Sequence, residues 1–139
     1  MLIAQLDSVI YISNANPNLT ESDLIDIIEV SQRNNSFYGI TGILCFNGTN
    51  FIQFLEGDRD MINARVNLIE SDSRHHGMVI IRRRISQDRE FPGWRMASSV
   101  IDTKAYKTDQ KLVDLLEIDT VTQETREIFN NFRSLGRGV

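Results

Sequence analysis

The 139-residue chain has a single cysteine, Cys45, so it cannot form an intrachain disulfide or a metal site built from several thiolates. No apolar run approaches the roughly 20 residues that cross a bilayer as a helix. The first residues, MLIAQLDS, lack the charged start and the long apolar stretch of a signal peptide. We therefore expect a cytoplasmic protein that makes no membrane contact.

Positive charge is also scarce, because 15 Lys and Arg face 19 Asp and Glu and leave a formal net charge of −4. Proteins that bind nucleic acid usually present a basic face, so we expect no nucleic-acid partner. The hydrophobic content of 41% is ordinary for a globular protein, and the length suits a single core.

Enzyme and metal sites find little support among the reactive side chains. His75 and His76 are adjacent and would diverge on a regular element, so we expect no metal site. Cys45 lies in an apolar strand, where a cysteine is usually a small buried hydrophobe. The chain has neither a GxxxxGK[ST] loop nor a GxGxxG fingerprint.

Apolar periodicity predicts the order β-α-β-β-α-β-β. The expected strands cover residues 7–13, a hairpin at about 40–56, 78–85 and 94–100, and the expected helices run from Thr20 to about 34–35 and over 58–71. This order is typical of an α+β ferredoxin-like sandwich, with a five-stranded mixed sheet and two helices on one face. The groove between those helices is the natural ligand site.

Residues 1–100 would form this domain, and residues 101–139 a short C-terminal helical extension with helices at 107–118 and 122–135. We expect the extension to pack on the sheet or in an oligomer interface. An apolar stripe that looks exposed favours self-association through Leu112, Leu115, Leu116 and Phe129. Output through a separate downstream protein is the other expectation.

The hairpin carries the most unusual residue. Asn47-Gly48 between apolar runs is typical of a type I′ turn, which needs two residues that tolerate positive φ. Strand alternation then places Gln53 on the same face as Phe51 and Leu55. A buried amide costs about 1–3 kcal/mol unless it is satisfied.

Other polar or bulky side chains point toward the same interior: Tyr11, Asn34, Asn35, Trp94 and Met96. Each alone has a structural explanation as a core tyrosine, a helix cap or a packing residue. Together they favour a planar ligand with carbonyl and ring-nitrogen acceptors, because Gln53 offers more hydrogen bonds than Tyr11 can satisfy.

Over about residues 7–100 the sequence resembles the BLUF family, the blue-light sensors that use FAD. The motifs that carry the resemblance are VIYIS with Tyr11, SQRNN, GITGIL, FIQFLEG with Gln53, the DSRHH loop and WRM. The resemblance implies a photoreceptor and not an enzyme, with FAD bound non-covalently between the two helices. FMN or riboflavin could take its place.

The resemblance also assigns roles to individual residues. Asn35, with Asn34 beside it, would bind the polar edge of the flavin ring, and Ile27 and Ile69 would sandwich the ring. The residues near the ribityl and phosphate end would be Arg74 and His75.

Tyr11 and Gln53 would form the photoactive pair. Tyr11 would give an electron and a proton to the excited flavin, and the Gln53 amide would then rearrange its hydrogen bonds. The product would be a reversible red-shifted state, relayed outward by Trp94 and Met96 on the fifth strand. Two alternatives stay open: a flavin-free ferredoxin-like interaction module, and a small flavin-dependent redox enzyme.

Overall fold

The computed structural model describes residues 5–93, 97–100 and 110–135, with the side chains of 97–100 left aside. The elements are β1 (Leu6–Ala15), α1 (Glu21–Tyr38), β2 (Thr41–Phe46), β3 (Asn50–Gly57), α2 (Arg59–Glu70), β4 (His75–Ser86), β5 (Ala97–Val100), α3 (Gln110–Leu116) and α4 (Gln123–Leu135). The prediction of an α+β fold is confirmed.

The sheet has the order β4-β1-β3-β2-β5. Strands β1 to β4 form an antiparallel sheet, and β5 runs parallel to β2 at one edge. Strand β1 therefore lies beside β3, with Tyr11 directly opposite Gln53.

The sheet has an apolar core on each face, because strand alternation sends successive side chains to opposite sides. One core joins the sheet to α1 and α2 and includes Val9, Leu44, Phe51, Leu55 and Ile62. The other joins the sheet to α3 and α4 and includes Ile10, Ile52, Phe54, Leu112 and Phe129. The groove between α1 and α2 thus opens over the first face.

The C-terminal helices use their apolar residues against the sheet. Leu112, Leu115, Leu116 and Phe129 are between 0% and 4% exposed. The predicted exposed stripe is therefore wrong, since pattern alone does not tell a self-association surface from a face that covers the chain's own sheet. Self-association loses the observation that motivated it.

Helix α1 begins as predicted and ends later. Thr20 caps its N-terminus in a capping box with Asp23. The prediction that it ends near Asn34-Asn35 is wrong, because the helix continues to Tyr38 and stops at Gly39, which adopts a left-handed φ of 67°. Asn35 consequently lies inside the helix and is fully buried.

The hairpin between β2 and β3 is confirmed, but its turn is not type I′. Gly48 has a φ of 93°, whereas Asn47 does not have a positive φ. The Asn47 side-chain oxygen instead accepts hydrogen bonds from the backbone N–H groups of Thr49 and Asn50, at 3.0 and 2.7 Å. An Asx-type contact closes this three-residue loop.

The last boundary correction concerns the predicted polar loop at 71–77. Strand β4 already begins at His75, where it pairs with Ala15 of β1. Pairing with β1 extends the strand through residues whose polarity suggested a loop. Across the described part of the chain, every helix is too short or too polar to span a bilayer.

Candidate functional site: a cavity between the two helices

A cavity of about 240 Å³ lies between α1, α2 and the sheet. Its walls come from all three layers: Tyr11, Leu44, Phe51 and Gln53 from strands; Ile27, Val30 and Ser31 from α1; Arg65, Leu68 and Ile69 from α2; and Asp72, Arg74 and His75 beyond α2. Five of the predicted site residues therefore meet around one cavity with Gln53. Ile27 and Ile69 face it from opposite helices.

Tyr11 and Gln53 are joined at the floor of the cavity. The Tyr11 hydroxyl donates a hydrogen bond of 2.6 Å to Gln53 Oε1. Both side chains are almost fully buried, at 4% and 2% exposure. The contact follows from register, because the two residues are opposite partners on neighbouring strands and both point to the helical face.

Burial raises the pKa of Tyr11 well above its ordinary value, and the nearby Asp72 carboxylate raises it further. The neutral phenol is the form that can donate to Gln53 Oε1. Tyr11 is thus held as a protonated donor over the whole physiological range.

His75 connects the sheet to the end of α2. Its Nε2 lies 2.5 Å from the Ile69 backbone carbonyl, and its Nδ1 lies 2.8 Å from Ser13 Oγ. A carbonyl oxygen only accepts, so Nε2 donates to the Ile69 carbonyl, and Nδ1 forms the second hydrogen bond with Ser13 Oγ. These contacts fix the ring beside Tyr11, with the two ring centroids 6.3 Å apart.

Arg74 is already paired with two carboxylates. It contacts Asp72 Oδ2 at 2.7 Å and Asp26 Oδ2 at 2.8 Å. The pKa of Asp72 is lowered, first by its hydrogen bond to Arg74, and the pKa of Arg74 is raised by the same bond. At this end of the cavity, the charge of Arg74 is therefore already paired with the carboxylates of Asp26 and Asp72.

Asn35 is the most unusual polar group near the site. Its side chain is 0% exposed, and neither Oδ1 nor Nδ2 has a hydrogen-bond partner among the described residues. It lies one helical turn beyond Ser31, which lines the cavity. Asn34 beside it is half-buried. A ligand edge with both a donor and an acceptor would satisfy the Asn35 amide.

Sequence reasoning missed three polar members of the cavity wall: Ser31, Arg65 and Asp72. The helical spacing of Arg65 and Ile69 could have revealed Arg65, because residues four apart share one helix face. Asp72 lies beyond the end of α2, where helical spacing gives no signal. The predicted relay residues Trp94 and Met96 lie outside the described residues. Within the described ranges, no cluster of three or more His, Cys, Asp or Glu is arranged to bind a metal.

Comparison with known proteins gives this cavity a context. Over 98 residues the chain is 35% identical to photoactivated adenylate cyclase subunit beta of Euglena longa. The aligned segment covers 68% of this chain and 11% of that relative. The chain thus spans a small part of this curated relative.

Solved structures share the fold. The Klebsiella pneumoniae protein BlrP1, in a manganese and cyclic-diGMP complex, is 32% identical with a TM-score of 0.80, over 94% of this chain and 33% of that one. BlrB, described as a BLUF protein in its dark state, is 27% identical with a TM-score of 0.71, over 99% of this chain and 100% of that one.

The family profile for BLUF, described as sensors of blue light using FAD, matches residues 6–97. The match includes both helices of the cavity and the strands that carry Tyr11 and Gln53. The chain belongs to the BLUF family of flavin-based blue-light sensors.

Proposed function

We propose that this chain binds FAD non-covalently between α1 and α2 and acts as a photoreceptor, not an enzyme, through the Tyr11–Gln53 pair. The 2.6 Å hydrogen bond in the cavity floor is the observation that carries the proposal. When bound, FAD would supply blue-light absorption and, once excited, an acceptor for one electron and one proton.

Several residues suit the binding of the flavin ring. Ile27 and Ile69 lie on opposite walls and offer apolar surface to both faces of a planar ring. The unpartnered Asn35 amide would bind the polar ring edge, with Asn34 beside it. FAD is the flavin in the family description, while FMN or riboflavin share the ring that these residues would hold.

Tyr11 would supply both the electron and the proton. Its proton already lies on the short bond to Gln53 Oε1, so a proton that leaves the phenol reaches the amide first. The Gln53 amide would then rotate or change tautomer, so that its hydrogen bonds are rearranged, and the dark state would return when the electron and the proton go back to Tyr11. Each cycle leaves no net product, which suits a sensor.

Output would pass to a separate effector. In two relatives the matching segment makes up only 11% of the cyclase subunit and 33% of the BlrP1 chain, so there it is joined to further sequence in the same chain. For this chain we propose a separate downstream protein in that role. Trp94 and Met96 remain the proposed relay residues. Self-association remains a second route, testable by measuring molecular mass by light scattering in darkness and under blue light.

The first experiment is an absorption spectrum of the purified chain in darkness and directly after blue light. We expect a flavin spectrum that shifts slightly to the red without bleaching and recovers in darkness. Tyr11→Phe and Gln53→Leu should keep the flavin but abolish the shift. Tyr38→Phe is the matched control, because Tyr38 is 44% exposed and lies outside the cavity wall.

Other outcomes would favour the two alternatives. A protein that takes up no flavin, even with added FAD, would be a ferredoxin-like interaction module. Bleaching in light, or steady turnover with NADPH in darkness, would indicate a redox enzyme. A normal shift in Tyr11→Phe would refute the proposed role of Tyr11.

A further inference from the structure

The two ends of the cavity carry different charge. At one end Asp26 and Asp72 surround Arg74, so two carboxylates outweigh one guanidinium. Arg65 lies in the middle of α2, whereas Asp72 and Arg74 lie beyond the end of that helix at Glu70. Arg74 contacts Asp26 in the first half of α1, whereas Arg65 lies over the ring of Tyr38 at the end of α1.

Arg65 is a cation without a carboxylate partner in the part of the chain that the structure describes. Its guanidinium carbon lies 5.9 Å from the centroid of the Tyr38 ring, and its Nε is buried without a hydrogen-bond partner. The side chain also lines the cavity wall. An arginine in this state can still bind an anion, because its charge and one fork of donors are not used.

We propose that Arg65 binds the phosphate of a flavin nucleotide and makes the site select FMN and FAD over riboflavin. This rests on the proposed flavin function. A phosphate beside Arg74 would meet the carboxylates of Asp72 and Asp26, whereas a phosphate beside Arg65 meets an uncompensated cation. The charge distribution thus opposes the expectation, drawn from the resemblance, that Arg74 marks the phosphate end.

Titrations of the full-length apoprotein in darkness with FMN and with riboflavin test the proposal, with binding followed by quenching of flavin fluorescence. The wild type should bind FMN about tenfold more tightly than riboflavin, as one charge-assisted contact allows. Arg65→Gln should remove this preference by weakening FMN binding far more than riboflavin binding, and Arg65→Lys should retain part of the preference. Raising the salt concentration should narrow the difference in the wild type.

Two variants complete the design. Arg59→Gln is the matched control, because Arg59 is an exposed arginine on α2 outside the cavity wall. Arg74→Gln should change the affinities for FMN and riboflavin by the same factor. An unchanged preference in Arg65→Gln, or loss of preference in Arg74→Gln, would overturn the assignment to Arg65. If the wild type bound FMN and riboflavin equally, the proposed role of Arg65 would be overturned and the proposed flavin binding would stand. If the wild type bound neither flavin, the proposed function would be overturned as well.

Discussion

Replacing Asn35 by leucine should stabilise the apoprotein while it weakens flavin binding. The side chain is fully buried and both of its polar atoms lack partners among the described residues. A buried polar group without a partner costs about 1–3 kcal/mol, and removing it with a side chain of similar shape is often stabilising. Such opposite effects on stability and binding are expected of a residue kept for its ligand.

We estimate the gain in unfolding free energy by counting the Asn35 amide as one buried group without hydrogen bonds. We take about 2 kcal/mol for the whole side chain, and the better helix propensity of leucine adds less than about 0.5 kcal/mol. With a urea m-value of about 2 kcal/mol/M, the unfolding midpoint of the apoprotein should rise by about 1 M. Flavin affinity should fall at least about tenfold, because the ring edge would lose its amide partner.

The assay is urea denaturation of flavin-free protein, followed by circular dichroism, with flavin titration of the same samples. Asn67→Leu is the control, because Asn67 is exposed on α2 and its replacement should change stability by no more than about 0.5 kcal/mol. Asn35→Ala also removes the amide and shows whether leucine is too large for the site. Unchanged flavin affinity in both variants, or apoproteins no more stable than the wild type, would refute the argument.

Three further predictions concern charge, packing and pH. The buried Glu90 carboxylate accepts hydrogen bonds from Arg82, Arg84 and the Thr122 N–H. Glu90→Gln should therefore lower the free energy of unfolding by about 3 kcal/mol, whereas Glu124→Gln should lower it by less than about 1 kcal/mol. Equal losses in urea denaturation would contradict this. Gly42→Ala should destabilise the folded chain strongly, because the new Cβ would lie 1.8 Å from the Phe54 carbonyl oxygen. In Gly57→Ala the nearest atom to the new Cβ is 3.2 Å away, so this variant should be much less destabilised. The melting temperature of Gly42→Ala should therefore be clearly the lower of the two. The light-induced spectral shift should keep its amplitude up to about pH 10, because burial raises the pKa of Tyr11 above its ordinary value of about 10. Above that pH the free energy of unfolding should fall, since the phenol ionises first in the unfolded chain. Loss of the spectral shift near pH 8 would contradict this.

The sequence by itself determined the α+β fold class and several of the residues that line the candidate cavity. Alternation on β1 and β3 placed Tyr11 and Gln53 on buried faces, because successive strand residues point to opposite sides. Thr20 fixed the start of α1 through a capping box, which is a local interaction. The motifs around Tyr11 and Gln53 indicated the family.

Only the tertiary structure decided which of these groups meet and which are already paired. Strand register brought Tyr11 opposite Gln53, and the closing of the sheet on α3 and α4 buried the apolar stripe that looked exposed. Packing between α1 and α2 paired Arg74 with Asp26, 48 residues away, and left Arg65 beside Tyr38. Such contacts depend on residues distant along the chain, so local pattern predicts where a side chain points but not what neutralises its charge.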